Sequence, residues 1–329
     1  MIKPSDYRPA AWLRNAHVQS ILASSPTRRW RAARDLQACN AQHSVHDIDA
    51  GDGTRLQGLY SEPATGKSRA LALLLHGWEG SAESGYMRAT AAQLLQRNIA
   101  VFRLNFRDHG DTHHLNTEPF HSNRIDEVVH AACRIADQFA SGPVLAAGYS
   151  LGGNFALRLA LRAPQAGLAL ARVAAVCPVI DPAHTMDAME RALPIYLRYF
   201  ERKWTGSLRR KQLLFPEHLA IDAPTLRLGM RDLTAWMVRQ HTDFESLQAY
   251  FDGYSIAGTR LSALQLPADI LMAKDDPVIP FADFQSLQLP PQVQLEVSEH
   301  GGHCGFLLNA RLDGHAERWV ADRLLQAVH

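Results

Sequence analysis

The sequence predicts an α/β fold in which a mostly parallel sheet of about eight strands is flanked by helices. Short apolar runs alternate with helical patterns from Ala70 to Cys177, and this alternation is typical of a parallel sheet covered on both faces. The alternation stops at Asp181 and resumes at Ala268. Because the block between them has helical periodicity and no convincing strand, we expect it to form a helical cap over the sheet.

The strands are predicted from short extended or apolar runs that end at glycine, proline or polar residues. The first two flank the turn Gly51-Asp52-Gly53 and are expected to pair as an antiparallel hairpin. The later ones are continuous apolar runs, which are typical of strands buried in a parallel sheet. In chain order the predicted strands are His43–Asp49, Leu56–Tyr60, Ala70–Leu75, Ile99–Leu104, Val144–Ala147, Val173–Cys177, Ala268–Met272 and Val293–Val297.

The helices are predicted from apolar residues that recur at helical spacing. In Ile125–Phe139, for example, these residues fall on one face of the helix. The last helix follows the last strand and closes the fold. In chain order the predicted helices are Tyr7–Ala23, Tyr86–Gln96, Ile125–Phe139, Phe155–Leu161, Met186–Phe200, Leu233–Val238, Phe244–Phe251, Ile256–Leu264 and His315–Val328.

We expect residues 1–329 to form one domain, because no linker rich in glycine, serine or proline separates two halves. Its core would comprise about residues 43–180 and 265–329. The N-terminal helical extension would cover residues 1–42, and the helical cap would be inserted at about residues 181–264.

Composition and charge exclude several classes of protein. The chain has 34 basic and 33 acidic residues, so its net charge gives no reason to expect nucleic acid as a partner. No apolar run is long enough to form an integral membrane segment, and the first ten residues lack the apolar core of a secretory signal. Two small basic clusters, Arg28–Arg34 and Arg209–Lys211, are expected to be solvated surface.

The four cysteines indicate the cellular compartment. Cys39, Cys133, Cys177 and Cys304 are scattered and show no C-x-x-C spacing. We therefore expect free thiols in a reducing compartment, and a cytoplasmic protein. Cys304 is expected to be a buried neighbour of the site described below and not its nucleophile.

The segment Val144–Asn154, VLAAGYSLGGN, has the pattern of a strand, a tight turn and a helix with a serine at the apex. This G-x-S-x-G pattern is typical of a nucleophile elbow, in which a strained turn exposes the serine hydroxyl. Gly148 and Gly152 flank the turn, where the strand and the helix approach closely. The sequence therefore predicts Ser150 as a nucleophile, although a glycine-rich turn with a capping serine is the alternative interpretation.

Backbone N–H groups near the nucleophile could stabilise a developing oxyanion. The loop His76-Gly77-Trp78 follows a buried strand, at the edge where open α/β sheets place their sites. We predict the N–H groups of Trp78 and of Leu151, the residue directly after the nucleophile, as the two oxyanion donors.

A base and an acid are predicted in the loops after the last two strands. His303 lies in the glycine-rich segment His300–Phe306 and is predicted as the general base, with His300 as a supporting or surface residue. Asp275 and Asp276 are adjacent candidates for the carboxylate that orients the base. We prefer Asp276, because Pro277 fixes the backbone directly after it, and Asp275 is the alternative.

The loop Asp108–His114 contains three histidines and two aspartates that could bind a metal. Gly110 argues against a helix that would align His109 with His113, and no glutamate lies between the two. We therefore expect neither a metal nor a cofactor, and a polar loop that borders the pocket.

These motifs resemble the α/β-hydrolase superfamily from about Asp47 to the C-terminus, with Ser150, Asp276 and His303 in the chain order of that superfamily. Within it the chain resembles the YheT-like branch. The segments that carry this resemblance are YRPAAWLRNAHVQSIL, HGWEGS, GYSLGGN, FESLQAYFDGYS, AKDDPVIP and GGHCGF. HGWEGS and RDHGDTHH depart from the pattern of the branch, which has a leucine at the position of Trp78 and a glycine-rich loop.

The resemblance implies a serine hydrolase with ester or acyl-transfer chemistry. The large apolar residues of the predicted cap favour acyl chains over sugars or peptides. We therefore expect a small-molecule acyl ester as the substrate and an acyl-enzyme intermediate in its cleavage. Acyl transfer to an alcohol and a non-catalytic, ligand-binding hydrolase fold are the alternatives. The sequence leaves the oligomeric state open.

Overall fold

A computed structural model describes residues 2–328 of the protein. Nine strands lie within these residues: β1 Ile2–Pro4, β2 Gln42–Asp49, β3 Arg55–Glu62, β4 Leu71–Leu75, β5 Ala100–Leu104, β6 Val144–Tyr149, β7 Leu170–Val176, β8 Ala268–Ala273 and β9 Val293–Ser298. They form one sheet in the order β1-β9-β8-β7-β6-β4-β5-β3-β2.

The pairing confirms the predicted fold class. Strand β3 is antiparallel to both β2 and β5, and every other strand pair is parallel within residues 2–328. The eight predicted strands are all present, and every residue of β4, β5, β6 and β8 is buried, which explains their continuous apolar runs.

The ninth strand was not predicted. β1 adds to the edge of the sheet parallel to β9, with Ile2 opposite Leu295. Its three residues are exposed and include a proline, so the segment has neither an apolar run nor an alternating pattern. Only the tertiary pairing makes it a strand.

Eleven helices lie among the described residues, with single 3₁₀ turns at Ala11–Leu13 and Thr225–Arg227. Their bounds are α1 Ala16–Ala23, α2 Pro26–Gln37, α3 Gly85–Leu95, α4 Ile125–Phe139, α5 Leu151–Arg162, α6 Pro182–Arg191, α7 Pro194–Leu214, α8 Met230–His241, α9 Leu247–Tyr254, α10 Phe281–Gln285 and α11 His315–Leu325. Within this set no helix is both long and apolar enough to cross a membrane.

The N-terminal extension differs from the single helix predicted over Tyr7–Ala23. Helix α1 begins only after Asn15, whose side chain accepts hydrogen bonds from the first turn. A second helix, α2, contains the first basic cluster, and Arg28 in it is buried against Glu317. That arginine was wrongly assigned to solvated surface, because its buried carboxylate partner is 289 residues away in sequence.

The cap consists of helices α6 to α9. The helix predicted over Met186–Phe200 is two helices, because α6 ends at Arg191 and Pro194 begins α7. The helix predicted over Ile256–Leu264 is wrong: this segment forms turns, and Gly258 has a φ of 63° that an α-helix does not allow. The division into core, extension and cap as one domain stays a prediction.

A buried ion pair joins the cap to the core. Lys211 of α7 donates to Asp108 over 2.7 Å, and it also donates to the carbonyl oxygens of His113 and Asn116. Only 1% of the Lys211 side chain and 5% of the Asp108 side chain is exposed. The prediction that Lys211 is solvated was therefore wrong, because the lysine is on the inner face of α7.

Candidate active site

Ser150 lies between the last residue of β6 and the first residue of α5, as the elbow motif predicts. Its φ of 54° and ψ of −121° are strained for a residue with a side chain. A Cβ on Gly148 would lie 2.0 Å from the carbonyl oxygen of Gly152, and a Cβ on Gly152 would lie 2.2 Å from a carbonyl oxygen of β4. The two glycines are therefore required by the close approach of strand and helix.

Three predicted residues form a continuous series of hydrogen bonds. The Ser150 hydroxyl lies 2.9 Å from Nε2 of His303, and Nδ1 of His303 lies 2.9 Å from Oδ2 of Asp276. The other oxygen of Asp276 accepts from the backbone N–H groups of Val278 and Ile279. These bonds hold the buried Asp276 carboxylate in one orientation toward the imidazole.

Asp275, the alternative acid, has a different set of contacts. One of its oxygens accepts from the N–H of Gly302 over 2.8 Å, and the other lies 3.6 Å from Nδ1 of His300. Burial raises the pKa of Asp275. This carboxylate therefore contacts the loop that carries His303 but not the His303 imidazole, and His300 is its half-exposed neighbour.

The His303 imidazole has a strongly shifted pKa. Burial by itself would lower this pKa, but the charge of Asp276, its hydrogen bond to the ring and a contribution from the neighbouring Cys304 outweigh burial and raise it to about 9. An imidazole in this environment favours its protonated form, which suits it to stabilise negative charge developing beside it.

The two predicted oxyanion donors lie in the same pocket as Ser150. Trp78 and Leu151 both line it, and neither backbone N–H has an acceptor among residues 2–328. Helix α3 fixes the loop that carries Trp78, because the N–H of Gly77 donates to the hydroxyl of Tyr86 on this helix over 2.9 Å. Tyr86 has no sequence signal that distinguishes it from an ordinary helix residue.

The cap also contacts the loop that carries Trp78. The Trp78 ring stacks on Phe200 at a centroid distance of 5.4 Å and meets Trp204 edge-on. Lys203 donates to the carbonyl oxygen of Glu79 over 2.6 Å. Phe200, Lys203 and Trp204 lie on α7, so this helix both covers the site and positions the predicted oxyanion loop.

Helix α1 holds the loop that carries His303. The sequence does not predict this contact between the two segments. The His303 N–H donates to the Ser20 hydroxyl over 2.9 Å, and Gln19 bonds both the N–H and the carbonyl of Leu307. A Cβ on Gly302 would lie 2.3 Å from a carbonyl oxygen of α1. The glycines around His303 thus serve close packing. The sequence predicts a helix that includes α1, but no local pattern relates this helix to His303.

Two chambers meet at Ser150. The first, which we call the apolar cavity, lies between the cap and the strand ends. The second, which we call the polar cleft, is larger. Residues that line the apolar cavity include Met186, Met189, Trp204, Met237, Phe251 and Ile279. Residues that line the polar cleft include Arg29, Glu79, His109, Lys203, Arg210 and His303.

The loop Asp108–His114 borders the polar cleft, as the sequence predicts for a polar loop beside the pocket. Burial lowers the pKa of His109 and of His113 to about 4, so both rings are neutral at neutral pH. His109 Nδ1 lies 2.7 Å from the carbonyl oxygen of Arg107, and His113 Nε2 lies 2.8 Å from the Ser207 hydroxyl. These contacts give both histidines a structural role in the loop.

One group of possible metal ligands lies elsewhere in the described part of the chain. Asp6, Glu296 and His315 offer ligand atoms within 4.8 Å of one another, and none of the three lines either chamber. The Glu296 carboxylate already accepts from Trp319 and Arg323. A cation there would have to compete with the positive charge of Arg323, so the donor set is a poor match for a metal.

All four cysteines are free thiols. Cys304 borders the polar cleft directly after His303, and its sulfur lies 3.7 Å from the carbonyl oxygen of Val176. No hydrogen bond joins the Cys304 sulfur to the His303 ring among the described residues. Cys304 is therefore a neighbour of the site and not a partner of the imidazole, because both ring nitrogens of His303 already face Ser150 and Asp276.

Solved structures of two esterases have the same fold. The esterase Pf2001 of Pyrococcus furiosus is 14% identical, with a TM-score of 0.58 over 89% of this chain and 94% of that chain. An esterase of Pyrobaculum calidifontis is 18% identical, with a TM-score of 0.56 over 98% of this chain and 100% of that chain. At these identities the likeness shows the fold alone.

Relatives and a family match extend over most of the sequence. The protein named "Putative esterase YheT" from Escherichia coli K12 is 26% identical over 97% of this chain and 92% of its own length. The embryogenesis-associated protein EMB8 of Picea glauca is 20% identical over 92% of this chain and 67% of its own length. Residues 72–322 match the alpha/beta hydrolase family. This match covers more than half of the 329 residues, so the chain belongs to the alpha/beta hydrolase family and is YheT-like.

Proposed function

We propose that the protein is a serine hydrolase that cleaves carboxylic esters of small to medium acyl chains through an acyl-enzyme intermediate. The observation that carries this proposal is the hydrogen-bonded series of Ser150, His303 and Asp276 at a strained elbow. The name of the YheT relative supports ester substrates.

In the first half of the reaction the Ser150 oxygen attacks the acyl carbonyl while His303 Nε2 accepts the serine proton. Asp276 holds the imidazole in the required tautomer and stabilises the imidazolium that forms. The N–H groups of Trp78 and Leu151 donate to the oxyanion, and one such donor typically contributes about 3–4 kcal/mol. His303 then gives its proton to the alcohol oxygen, and the ester C–O bond breaks.

In the second half a water molecule replaces the alcohol. His303 accepts a proton from the water, whose oxygen attacks the acyl carbon, and the same two amides stabilise the second oxyanion. When this intermediate collapses, the proton returns to Ser150 and the carboxylic acid is released. The cycle consumes only the ester and water, and no cofactor enters any step.

The apolar cavity supports an acyl chain as the group bound beside Ser150. Methionine and aromatic side chains dominate its lining, which suits an apolar chain better than a sugar or a peptide. An acyl chain would gain roughly 0.8 kcal/mol for each buried methylene, so activity should rise with chain length until the cavity is full.

The test is a panel of aryl esters of increasing acyl length, with a peptide amide and a phospholipid beside them. We expect turnover of the short and medium esters, and covalent labelling of Ser150 by a fluorophosphonate. The Ser150→Ala variant, checked for folding by circular dichroism, should lose both. Undiminished turnover by that variant, or a clear preference for the amide or the intact phospholipid, would overturn the proposal.

Two alternatives predicted from the sequence are separated by simple measurements. Transfer of the acyl group to an alcohol would give an ester product when alcohol is added, whereas hydrolysis gives the free acid. A non-catalytic binding protein would fail to react with the fluorophosphonate. All three residues of the series are present, which supports catalysis.

The four free thiols support a reducing compartment, and we propose that the protein is cytoplasmic. Fractionation of cells that express the protein at its natural level tests this location.

A further inference from the structure

The two chambers differ in their access to His303. Ser150 lines both chambers, but His303 and Cys304 line only the polar cleft, whereas Leu151 lines only the apolar cavity. If the proposed function holds, the leaving alcohol must take its proton from His303, so the alcohol must leave on the side of His303. The acyl chain then occupies the apolar cavity, and the alcohol part of the ester occupies the polar cleft.

Most charged groups around the polar cleft already have partners. Glu83 pairs with Arg88, and its oxygen also lies 3.6 Å from Arg103. Asp108 pairs with the buried Lys211. These pairs leave little net charge to recognise a ligand. The buried Arg28, also on the wall of the cleft, pairs with Glu317.

Two cations of the cleft lack a carboxylate partner. Arg29 of α2 and Lys203 of α7 have no acidic group within 4.0 Å anywhere in residues 2–328. Within the described residues, the Lys203 ammonium group donates to the carbonyl oxygen of Glu79 and lies over the face of the Tyr199 ring, 5.2 Å from its centroid. A third cation, Arg210, pairs with the exposed Asp111 and so retains part of its capacity to bind an anion.

One carboxylate of the cleft opposes these cations. Burial raises the pKa of Glu79 to about 7, although nearby Lys203 lowers it, so Glu79 carries only part of a negative charge at neutral pH. Even with Glu79 fully ionised, Arg29 and Lys203 leave the unpaired groups of the cleft net positive. A cleft of one sign of charge concentrates ligands of the opposite sign.

We propose that the polar cleft is a subsite for an alcohol that carries an anionic group, a phosphate or a carboxylate, bound by Arg29 and Lys203. The substrate class is then the acyl ester of an anionic hydroxy compound. This deepens the proposed function and rests on it for the assignment of the two chambers. The reaction stays balanced: the ester C–O bond breaks, the alcohol leaves with the proton from His303, and water supplies the carboxylate oxygen.

The experiment compares esters that share one acyl chain and differ only in the charge of the alcohol. Butanoylglycerol is compared with butanoylglycerol 3-phosphate, and the butanoyl ester of glycolamide with that of glycolate. We expect kcat/KM to be at least about tenfold higher for the anionic member of one pair or both, an advantage that falls as salt is added. A preference confined to one pair identifies phosphate or carboxylate as the ligand.

Variants of Arg29 and Lys203 are compared by the ratio of kcat/KM for the anionic ester to kcat/KM for the neutral ester. Lys203→Gln and Arg29→Gln should each reduce the anionic preference several-fold, and the double variant should bring it close to one. Glutamine at position 203 can still donate to the Glu79 carbonyl, and any disturbance of that loop would lower both rates and leave the ratio unchanged. Arg202→Gln is the matched control, because Arg202 is exposed on the same helix and does not line the cleft.

A direct binding measurement separates this inference from the proposed function. Calorimetric titration with glycerol 3-phosphate and with glycolate, against glycerol and glycolamide, needs no turnover. Equal hydrolysis of charged and neutral esters would overturn the subsite while leaving the esterase proposal intact. If no ester is cleaved, the proposed function fails, and absence of preferential binding of either anion would then overturn the subsite as well.

Discussion

The backbone N–H of His303 donates a hydrogen bond to the side-chain hydroxyl of Ser20, although 283 residues separate the two in sequence. Ser20 itself donates to the carbonyl oxygen of Ala16 within α1, so its lone pairs are directed to His303. The proposed base is thus held at its ring by Asp276 and at its backbone by α1.

Removing the Ser20 hydroxyl should impair the chemical step more than binding. We expect Ser20→Ala to lower kcat about five- to tenfold with little change in KM, because the net value of one hydrogen bond is about 1 kcal/mol. The rate of Ser150 labelling by a fluorophosphonate should fall in parallel. Ile21→Ala, on the exposed side of the same helix, is the control. A loss confined to KM would contradict a role in positioning His303.

The two adjacent aspartates should differ sharply in their effect on activity. Asp276→Asn should reduce kcat by roughly 10⁴-fold, because an amide no longer fixes the imidazole tautomer. Asp275→Asn should cost far less, because Asp275 contacts the backbone of Gly302 and not the His303 ring. Steady-state kinetics with one aryl ester checks both. A larger loss in Asp275→Asn than in Asp276→Asn would identify Asp275 as the acid.

The activity should depend on pH through His303. Its pKa is raised to about 9, so the imidazole is largely protonated below that pH and cannot accept the serine proton. We therefore expect kcat/KM to rise with pH, to reach half its plateau near pH 9 and to level off above it. In Asp276→Asn the carboxylate that raises this pKa is gone, so the rising limb should move to lower pH. If kcat/KM of the variant rose over the same pH range as that of the wild type, the rise would be due to a group other than His303.

The ion pair between cap and core should matter more for stability than a surface pair. Lys211→Met leaves the buried Asp108 without its partner, and such a loss typically costs about 3–5 kcal/mol. Arg162→Met removes an exposed pair with Asp126 and should cost no more than about 1 kcal/mol. Urea denaturation of the two variants measures the difference. Similar midpoints would show that the buried pair adds no net stability.

Much of the sheet and of the predicted site follows from local sequence. Buried parallel strands are continuous apolar runs, and the elbow around Ser150 needs its glycines because strand and helix nearly touch. The preference for Asp276 over Asp275 rested only on the following proline. It agrees with the observed geometry because that turn brings two backbone N–H groups to one Asp276 oxygen.

What the sequence did not predict depends on contacts between distant segments. The strand Ile2–Pro4 exists only because β9 offers a free edge, and the buried state of Arg28 and Lys211 depends on carboxylates far along the chain. The role of Ser20 is similar, since a serine within a helix has no local pattern that relates it to His303. Periodicity reports which face is apolar but not which partner will cover it.

The apolar cavity should set the acyl-chain preference, and its size can be changed from the cap. Met189 of α6 lines the cavity and is 6% exposed, so Met189→Trp should fill part of the space that a medium chain needs. We expect this variant to lose most of its activity on octanoyl esters while it keeps activity on acetyl esters, because only the longer chain reaches the added ring. Leu213→Trp is the control, since Leu213 is on the same cap but 84% exposed. The measurement is kcat/KM for aryl esters from acetyl to octanoyl. A uniform loss for all chain lengths would mean that the cap had been displaced or that the acyl chain binds elsewhere, and a preference that moved toward longer chains would contradict the assignment of this cavity.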